Sequence, residues 1–165
     1  MPVGVAAGVF IEFDTEVLAP RYRAAEDALA LLALAARVVG GRRTGGEGRT
    51  GRVIVQTRLP DHAVLQAALR ADPGLLAASE LPIRTALGLP PAVALAELSG
   101  DDATTGEVTA RLAGAAGVEV LGPSGGRWLV RAPDHGTLCD ALAAAGRPSG
   151  SARGRLRIDV DPLRA

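Results

Sequence analysis

The stretch VEVLGPSGGRWLVRAP, residues 118–133, decides the fold of the second half of the chain. It has apolar residues before a break rich in glycine, proline and serine at 122–126. After the break, Trp128 and Val130 alternate with Arg127, Leu129 and Arg131. A period of two that is interrupted by a Gly-rich break is typical of a β-hairpin. We therefore predict two antiparallel strands joined by a tight turn.

The segments on either side of this hairpin complete a regular alternation. Residues 93–98 predict a strand, and Asp101 or Asp102 caps a helix that reaches about residue 116. Asp134 caps a second helix, and residues 155–160 form a final strand. The order strand, helix, strand, strand, helix, strand is that of a ferredoxin-like domain.

The first half of the chain predicts a βαβ unit. Residues 3–13 have the pattern of a short buried strand, a helix begins near Pro20, and residues 52–57 form a strand of β-branched residues. Two strands and one helix cannot cover both faces of a parallel sheet. The unit would therefore expose apolar surface if it stood alone, which favours dimerisation or poor solubility.

A helical segment at residues 59–91 connects the two halves. Asp61 is a candidate helix cap, and Pro82 should kink the following helix or divide it into two pieces. The run Gly88-Leu89-Pro90-Pro91 ends the segment.

Charge is balanced over the whole chain but not along it. The 165 residues carry 18 basic and 18 acidic side chains, and every basic one is arginine. Six arginines lie within 37–58 and four within 147–157. Zero net charge gives no support to a global polyanion-binding surface, but two loops are locally basic.

A single cysteine limits the chemistry of the chain. Cys139 excludes an internal disulfide and a cysteine-based zinc site, and its place in an apolar helical pattern predicts a buried thiol. No run of about 18 apolar residues predicts a membrane span, and the N-terminus does not have the pattern of a signal peptide. We expect a cytoplasmic protein with no membrane contact.

Short motifs follow one another in a characteristic order along the chain. They lie at 53–57, 60–62, 64–66, Glu80, Arg84, Leu87, 90–91, 120–123, 126–128 and 159–162. In this order and spacing, residues 8–165 resemble the C-terminal region of the primosomal protein N′ (PriA) family. Members of that family are replication-restart helicases of superfamily 2.

The resemblance implies a fold with three parts. Residues 1–58 would be the remnant of a RecA-like second helicase lobe (βαβ), and residues 59–91 a helical connector. Residues 92–165 would be the ferredoxin-like C-terminal domain that binds DNA or a partner. The predicted fold class is therefore α/β plus α+β.

The chain departs from the family where ATP would bind. Helicases of this group end the lobe with Gln-x-x-Gly-Arg-x-Gly-Arg, but the corresponding positions here include Leu34, Arg37, Val38, Gly40 and Gly41. Valine cannot replace an arginine fork on a phosphate. A phosphate loop with its lysine is also absent, as are the zinc-binding cysteines of the family. We expect neither ATPase nor helicase activity, and no cofactor in this chain.

The candidate DNA-binding residues come from the basic loop, the connector and the hairpin. They are Arg42, Arg43, Arg49, Arg52, Arg84, Arg127, Trp128 and Arg131. The arginines would neutralise phosphates, and Trp128 would stack on an unpaired base. The alternatives are a solvated linker for the loop and an edge strand with an inward-facing Trp128 for the hairpin.

The resemblance predicts a nucleoid-associated replication-restart protein that binds branched or single-stranded DNA at stalled forks and assembles the primosome. The partners that it implies are single-stranded-DNA-binding protein and other primosome proteins. The alternative is a ferredoxin-like interaction or regulatory module that acts through oligomerisation. If Arg127, Arg131 and the arginines within 147–157 share one face, DNA binding is favoured over this alternative.

Overall fold

The computed structural model of the protein describes residues 5–40, 51–146 and 154–162. Contacts divide the chain into two compact units, Met1–Glu80 (unit 1) and Leu81–Ala165 (unit 2). In chain order the elements are β1 (Ala7–Phe10), α1 (Phe13–Val17), α2 (Ala24–Gly40), β2 (Arg52–Val55), α3 (Ala63–Arg70), α4 (Pro73–Leu87), β3 (Ala94–Gly100), α5 (Asp102–Leu112), β4 (Glu119–Ser124), β5 (Arg127–Ala132), α6 (His135–Ala145) and β6 (Leu156–Val160). This mixture of helices and strands fits the α+β part of the predicted class, whereas the RecA-like and ferredoxin-like assignments and the domain boundaries stay predictions.

Unit 1 is built on a two-stranded parallel sheet, β1 and β2, and on α2, which connects the two strands. The inward residues of the sheet, Phe10, Val53 and Val55, pack against a core that contains Phe13 and Leu32. Apolar residues recur at helical spacing along α2, so one face of this helix can close that core. The core of unit 1 therefore lies on one side of its small sheet.

The other side of this sheet is exposed. Val9 and Ile54 are paired in register and are 60% and 52% exposed. The sequence predicted a buried strand over residues 3–13, but the described strand has four residues, and every second one faces outward. The reason is that α2 covers one face and the described chain places no element of unit 1 on the other.

In the connector, the start of α3 differs from the sequence prediction, and α4 is not divided at Pro82. His62, not Asp61, caps α3, because its Nδ1 accepts a hydrogen bond from the Val64 N–H at 3.2 Å. α4 continues through Pro82 as one helix, although proline lacks the N–H that a helix interior uses. The predicted stop at Gly88 is confirmed, since α4 ends at Leu87.

Unit 2 contains an antiparallel sheet in the strand order β4-β5-β3-β6. Its core lies on the side where α5 and α6 pack, and Leu98, Val108, Val130 and Leu138 are 0–1% exposed there. The two predicted helix caps differ in their bonding. Asp134 accepts from the Thr137 N–H at 2.8 Å, as a capping carboxylate does.

Asp101 is the residue before α5, but its side chain does not cap that helix. Its carboxylate accepts from the backbone N–H of Arg155 instead and so links the start of α5 to the residues before β6. Cys139 is exposed, which contradicts the predicted buried thiol. The apolar spacing of α6 is filled by Leu138 and Ala145, and Cys139 lies one residue beyond the buried position.

Candidate nucleic-acid interface

The hairpin turns at Gly125 and Gly126, directly between the paired residues Ser124 and Arg127. Both glycines have positive φ, +57° and +75°, as a two-residue type I′ turn requires. An irregularity between Leu121 and Ser124 inserts one extra residue on β4. The tight turn predicted from the sequence is confirmed, and it fixes which residues of β5 face each side of the sheet.

Trp128 and the hairpin arginines lie on opposite faces of this sheet. Trp128 pairs with Leu98 and packs against the core beneath α5 and α6. Arg127 and Arg131 point to the other side, which we call the open face. The predicted combination of a stacking Trp128 with flanking arginine charge is therefore not formed, because side chains alternate along a strand.

One row of residues across the open face is basic and hydroxylic. In register, Ser99 of β3 lies between Arg127 of β5 and Arg157 of β6, and Ser124 of β4 lies beyond Arg127. We call these four residues the basic row. The side chains of Arg127 and Arg157 are 60% and 70% exposed.

An acidic pair lies next to the basic row. Glu97 and Asp159 are directly opposite each other on β3 and β6. Like charges at such positions are destabilising, and each carboxylate has an arginine partner. Arg127 lies 3.3 Å from Glu97, and Arg157 lies 3.1 Å from Asp159. The two positive charges of the basic row are thus balanced by the two negative charges of the acidic pair.

Arg131, on the same open face, is bonded to side-chain and backbone groups of its own unit. Its Nη2 lies 2.7 Å from Glu119, and its Nη1 donates to the carbonyl oxygens of Leu87 and Gly88. A Cβ at Gly88 would lie 2.9 Å from the Arg131 guanidinium, and the φ of Gly88 is +60°. Only glycine accommodates both conditions without strain. Arg131 therefore holds the end of α4 against the sheet.

The other candidate arginines are placed as follows. Arg84 is 4% exposed and donates to the Pro90 carbonyl, so its guanidinium cannot reach a phosphate in this structure. Arg52 is exposed at the start of β2 in unit 1. The remaining candidates, Arg42, Arg43 and Arg49, lie outside the residues that the structure describes.

The sequence raised the possibility that the arginines within 147–157 share a face with Arg127, but neither Ser99 nor Arg157 was among the candidate site residues. Ser99 and Arg157 carry no motif, and only their pairing with β5 and β3 shows that they are neighbours of Arg127. The alternation of RLRIDV at 155–160 was the available signal, since it predicts that Arg157 and Asp159 share a face.

The two carboxylates of the motif at 159–162, Asp159 and Asp161, each lie beside a basic side chain. Asp159 pairs with Arg157, and the Asp161 carboxylate lies 2.8 Å from His135 Nε2. Among the residues that the structure describes, no cluster of three or more His, Cys, Asp or Glu could hold a metal ion. Within the same residues, no helix is both long and apolar enough to cross a membrane.

Comparisons with known proteins identify related sequences. Residues 85–163 match the family model of the primosomal protein N C-terminal domain. The chain is 34% identical over 163 residues to the probable replication restart protein PriA of Mycobacterium leprae (strain TN). The similarity covers 96% of this chain and 22% of that protein, so the chain spans less than a quarter of its relative's length.

Proposed function

This chain is a PriA C-terminal-like protein, as its motifs predicted, and we propose that it acts in replication restart by binding the DNA of branched forks. The similarity to the PriA relative over 96% of the chain carries this proposal. That similarity includes unit 1 as well as the C-terminal domain that the family model matches.

The open face of unit 2 supports contact with a nucleic-acid backbone. Arg127 and Arg157 share this face and are largely exposed, so they can reach phosphate groups. The described residues of this face carry no aromatic side chain on which a base could stack, since Trp128 packs on the opposite side. The proposed contact therefore positions the protein on the backbone and does not read sequence.

We propose that the chain has no ATPase or helicase activity and holds no nucleotide or zinc. Unit 1 has an apolar cavity of about 660 Å³, lined by residues such as Leu32, Val55 and Leu65. None of its lining residues is basic, so the cavity offers no cationic side chain to the phosphates of a nucleotide. We further propose single-stranded-DNA-binding protein and other primosome proteins as partners, in the cytoplasm at the nucleoid.

The proposal is tested by fluorescence-anisotropy titration of the purified chain into labelled DNA. The substrates are a three-way fork and a linear duplex with the same number of base pairs, each over a series of salt concentrations. We expect tighter binding to the fork than to the duplex. The logarithm of the affinity should fall linearly with the logarithm of the salt concentration. Equal binding to both substrates would refute fork preference, and no binding at low salt would refute the function.

A second candidate function, an interaction module that acts through self-association, is favoured by one observation. Val9 and Ile54 are 60% and 52% exposed on the uncovered side of the unit 1 sheet, and Ile11, directly after β1, is 67% exposed. Exposed apolar surface of this kind is often a contact between proteins. Light scattering over a range of protein concentrations tests this candidate, and a chain that stays monomeric throughout would exclude it.

A further inference from the structure

We propose that Arg127, Ser99 and Arg157 form a binding site for the phosphodiester groups of a nucleic-acid backbone. The site rests on the proposed function and deepens it, since it says where unit 2 would hold the DNA. It differs from the hairpin site that the sequence predicted, because Arg131 is only 25% exposed and donates to two backbone carbonyls besides its pair with Glu119, and Trp128 faces the core.

The spacing of the basic row suits an extended, repeating anion. Arg127 and Arg157 lie on the two strands that flank Ser99. Neighbouring strands are separated by about 4.8 Å, so the two arginine Cα atoms are about 10 Å apart. Two long, exposed side chains at this distance can converge on one phosphate or hold two separate ones.

The ion pairs orient the arginines without using all of their donors. Arg127 contacts Glu97 through Nη1, and Arg157 contacts Asp159 through Nη2. A guanidinium has five N–H donors in a fixed planar fork. Each arginine therefore keeps donors for a phosphate, while its carboxylate partner restricts the direction of the fork.

The serines add neutral hydrogen-bonding groups to the same row. Ser99 lies between the two arginines, and Ser124 ends the row beside the Gly125–Gly126 turn. Hydroxyl groups donate to phosphate oxygens in protein–DNA interfaces. A Cβ atom added to either glycine of this turn would have no other atom within 4 Å. The turn therefore leaves space beside the basic row.

The acidic pair determines the direction of the bound backbone. Glu97 and Asp159 occupy the next row toward the middle of the open face. A polyanion is repelled from that row, so it would run across the strands along the basic row and not down the sheet. The same carboxylates weaken binding, and salt screens this repulsion because the pair lies at the surface.

The test compares single arginine variants in the fork-binding titration. We expect Arg157→Ala to reduce affinity and to make the salt slope shallower by about one unit, the change for one lost phosphate contact. Arg70→Ala is the matched control, because Arg70 is an exposed arginine in the last turn of α3 and does not belong to the open face. It should leave the slope unchanged.

Arg127 requires a paired design, because Glu97 is only 12% exposed beside it and would lose this partner of opposite charge. The double variant E97Q/R127A removes both charges, and it should also lose about one unit of slope. Circular dichroism and thermal melting confirm that each variant is folded before its binding is interpreted.

The possible outcomes separate this site from the proposed function. Wild type that binds DNA, with R157A and E97Q/R127A equal to R70A, would overturn the site and leave the function standing. Wild type that is folded and binds no DNA would overturn both. Loss of slope in R157A and E97Q/R127A, but not in R70A, supports the site.

Discussion

Arg127 of β5 reaches across to β3, where its Nη1 lies 3.3 Å from the Glu97 carboxylate. The two side chains differ in burial, since 60% of Arg127 but only 12% of Glu97 is exposed. Glu97 also faces Asp159 directly across the β3–β6 pairing. The arginine therefore neutralises a carboxylate that is both partly desolvated and next to a like charge.

Removal of this arginine should destabilise unit 2 more than removal of its neighbour in the row. We expect Arg127→Ala to lower the free energy of unfolding by about 1–2 kcal/mol, because Glu97 loses its hydrogen-bond partner. Arg157→Ala should change it by less than about 0.5 kcal/mol, because the Arg157–Asp159 pair is exposed. Urea unfolding followed by circular dichroism measures both. Equal effects of the two variants would contradict the structural role of the Arg127–Glu97 pair.

Trp128 should matter for stability and not for DNA. It packs half-buried against the core of unit 2, so Trp128→Ala should lower the free energy of unfolding by about 2–3 kcal/mol, less than for a fully buried tryptophan. Trp128→Leu keeps part of the apolar contact but cannot stack on a base, so it serves as the control. In the anisotropy titration, folded Trp128→Leu should retain the wild-type affinity and salt slope. A specific loss of DNA affinity in that variant would restore the stacking role predicted from sequence.

Neutralisation of the acidic pair should strengthen DNA binding. Asp159→Asn removes a negative charge beside Arg157 and retains the size of the side chain. We expect affinity for the fork to rise roughly twofold at low salt, with a smaller effect at high salt, because exposed charges are screened. Asp102→Asn is the matched control, since Asp102 is an exposed carboxylate in the first turn of α5. An unchanged affinity for Asp159→Asn would indicate that no phosphate lies near this row.

The stability of unit 1 should fall in acid because of Asp14. The Thr57 hydroxyl and then the Arg58 backbone N–H donate to its carboxylate, and these bonds lower the pKa of Asp14 below its ordinary value of 3.8. A group whose pKa is lower in the folded state stabilises that state above the unfolded pKa. This contribution should be complete above about pH 5 and lost as the pH falls below 3.8, through the folded pKa.

Chemical unfolding of wild type and Asp14→Asn between pH 7 and pH 2.5 measures this effect. Asparagine cannot titrate, so the difference in unfolding free energy between the two proteins should shrink as the pH decreases. Asp140→Asn is the control, since it removes an exposed carboxylate from α6 in unit 2. A difference between wild type and Asp14→Asn that stays constant over this range would contradict the assignment.

The elements of unit 2 could be predicted from sequence because local patterns specify them. The alternation around residues 122–126 and the capping residue Asp134 gave the hairpin and the start of α6. The side of the sheet to which Trp128 points was not predictable from β5 alone. Alternation separates Trp128 from Arg127, but only the helices packed on one face decide which of them is inward.

The basic row was not predictable for a different reason. Ser99, Arg127 and Arg157 belong to three strands that are far apart in sequence, and their neighbourhood exists only in the sheet register. The helix cap at His62 also depends on geometry, because Asp61 and His62 are adjacent and both have suitable acceptors. The exposure of Cys139 was not predictable either. An apolar pattern at helical spacing shows that α6 has a buried face, but it does not show which residues lie at the border of that face.

The central claim is that the chain binds fork DNA through backbone phosphates, and one measurement tests it most directly. Wild type and R157A are titrated into a labelled three-way fork over a salt series, with R70A as control. The account predicts linear dependence of log affinity on log salt for wild type, a slope shallower by about one unit for R157A, and no change for R70A. A folded wild-type chain that does not bind the fork at low salt would contradict the account.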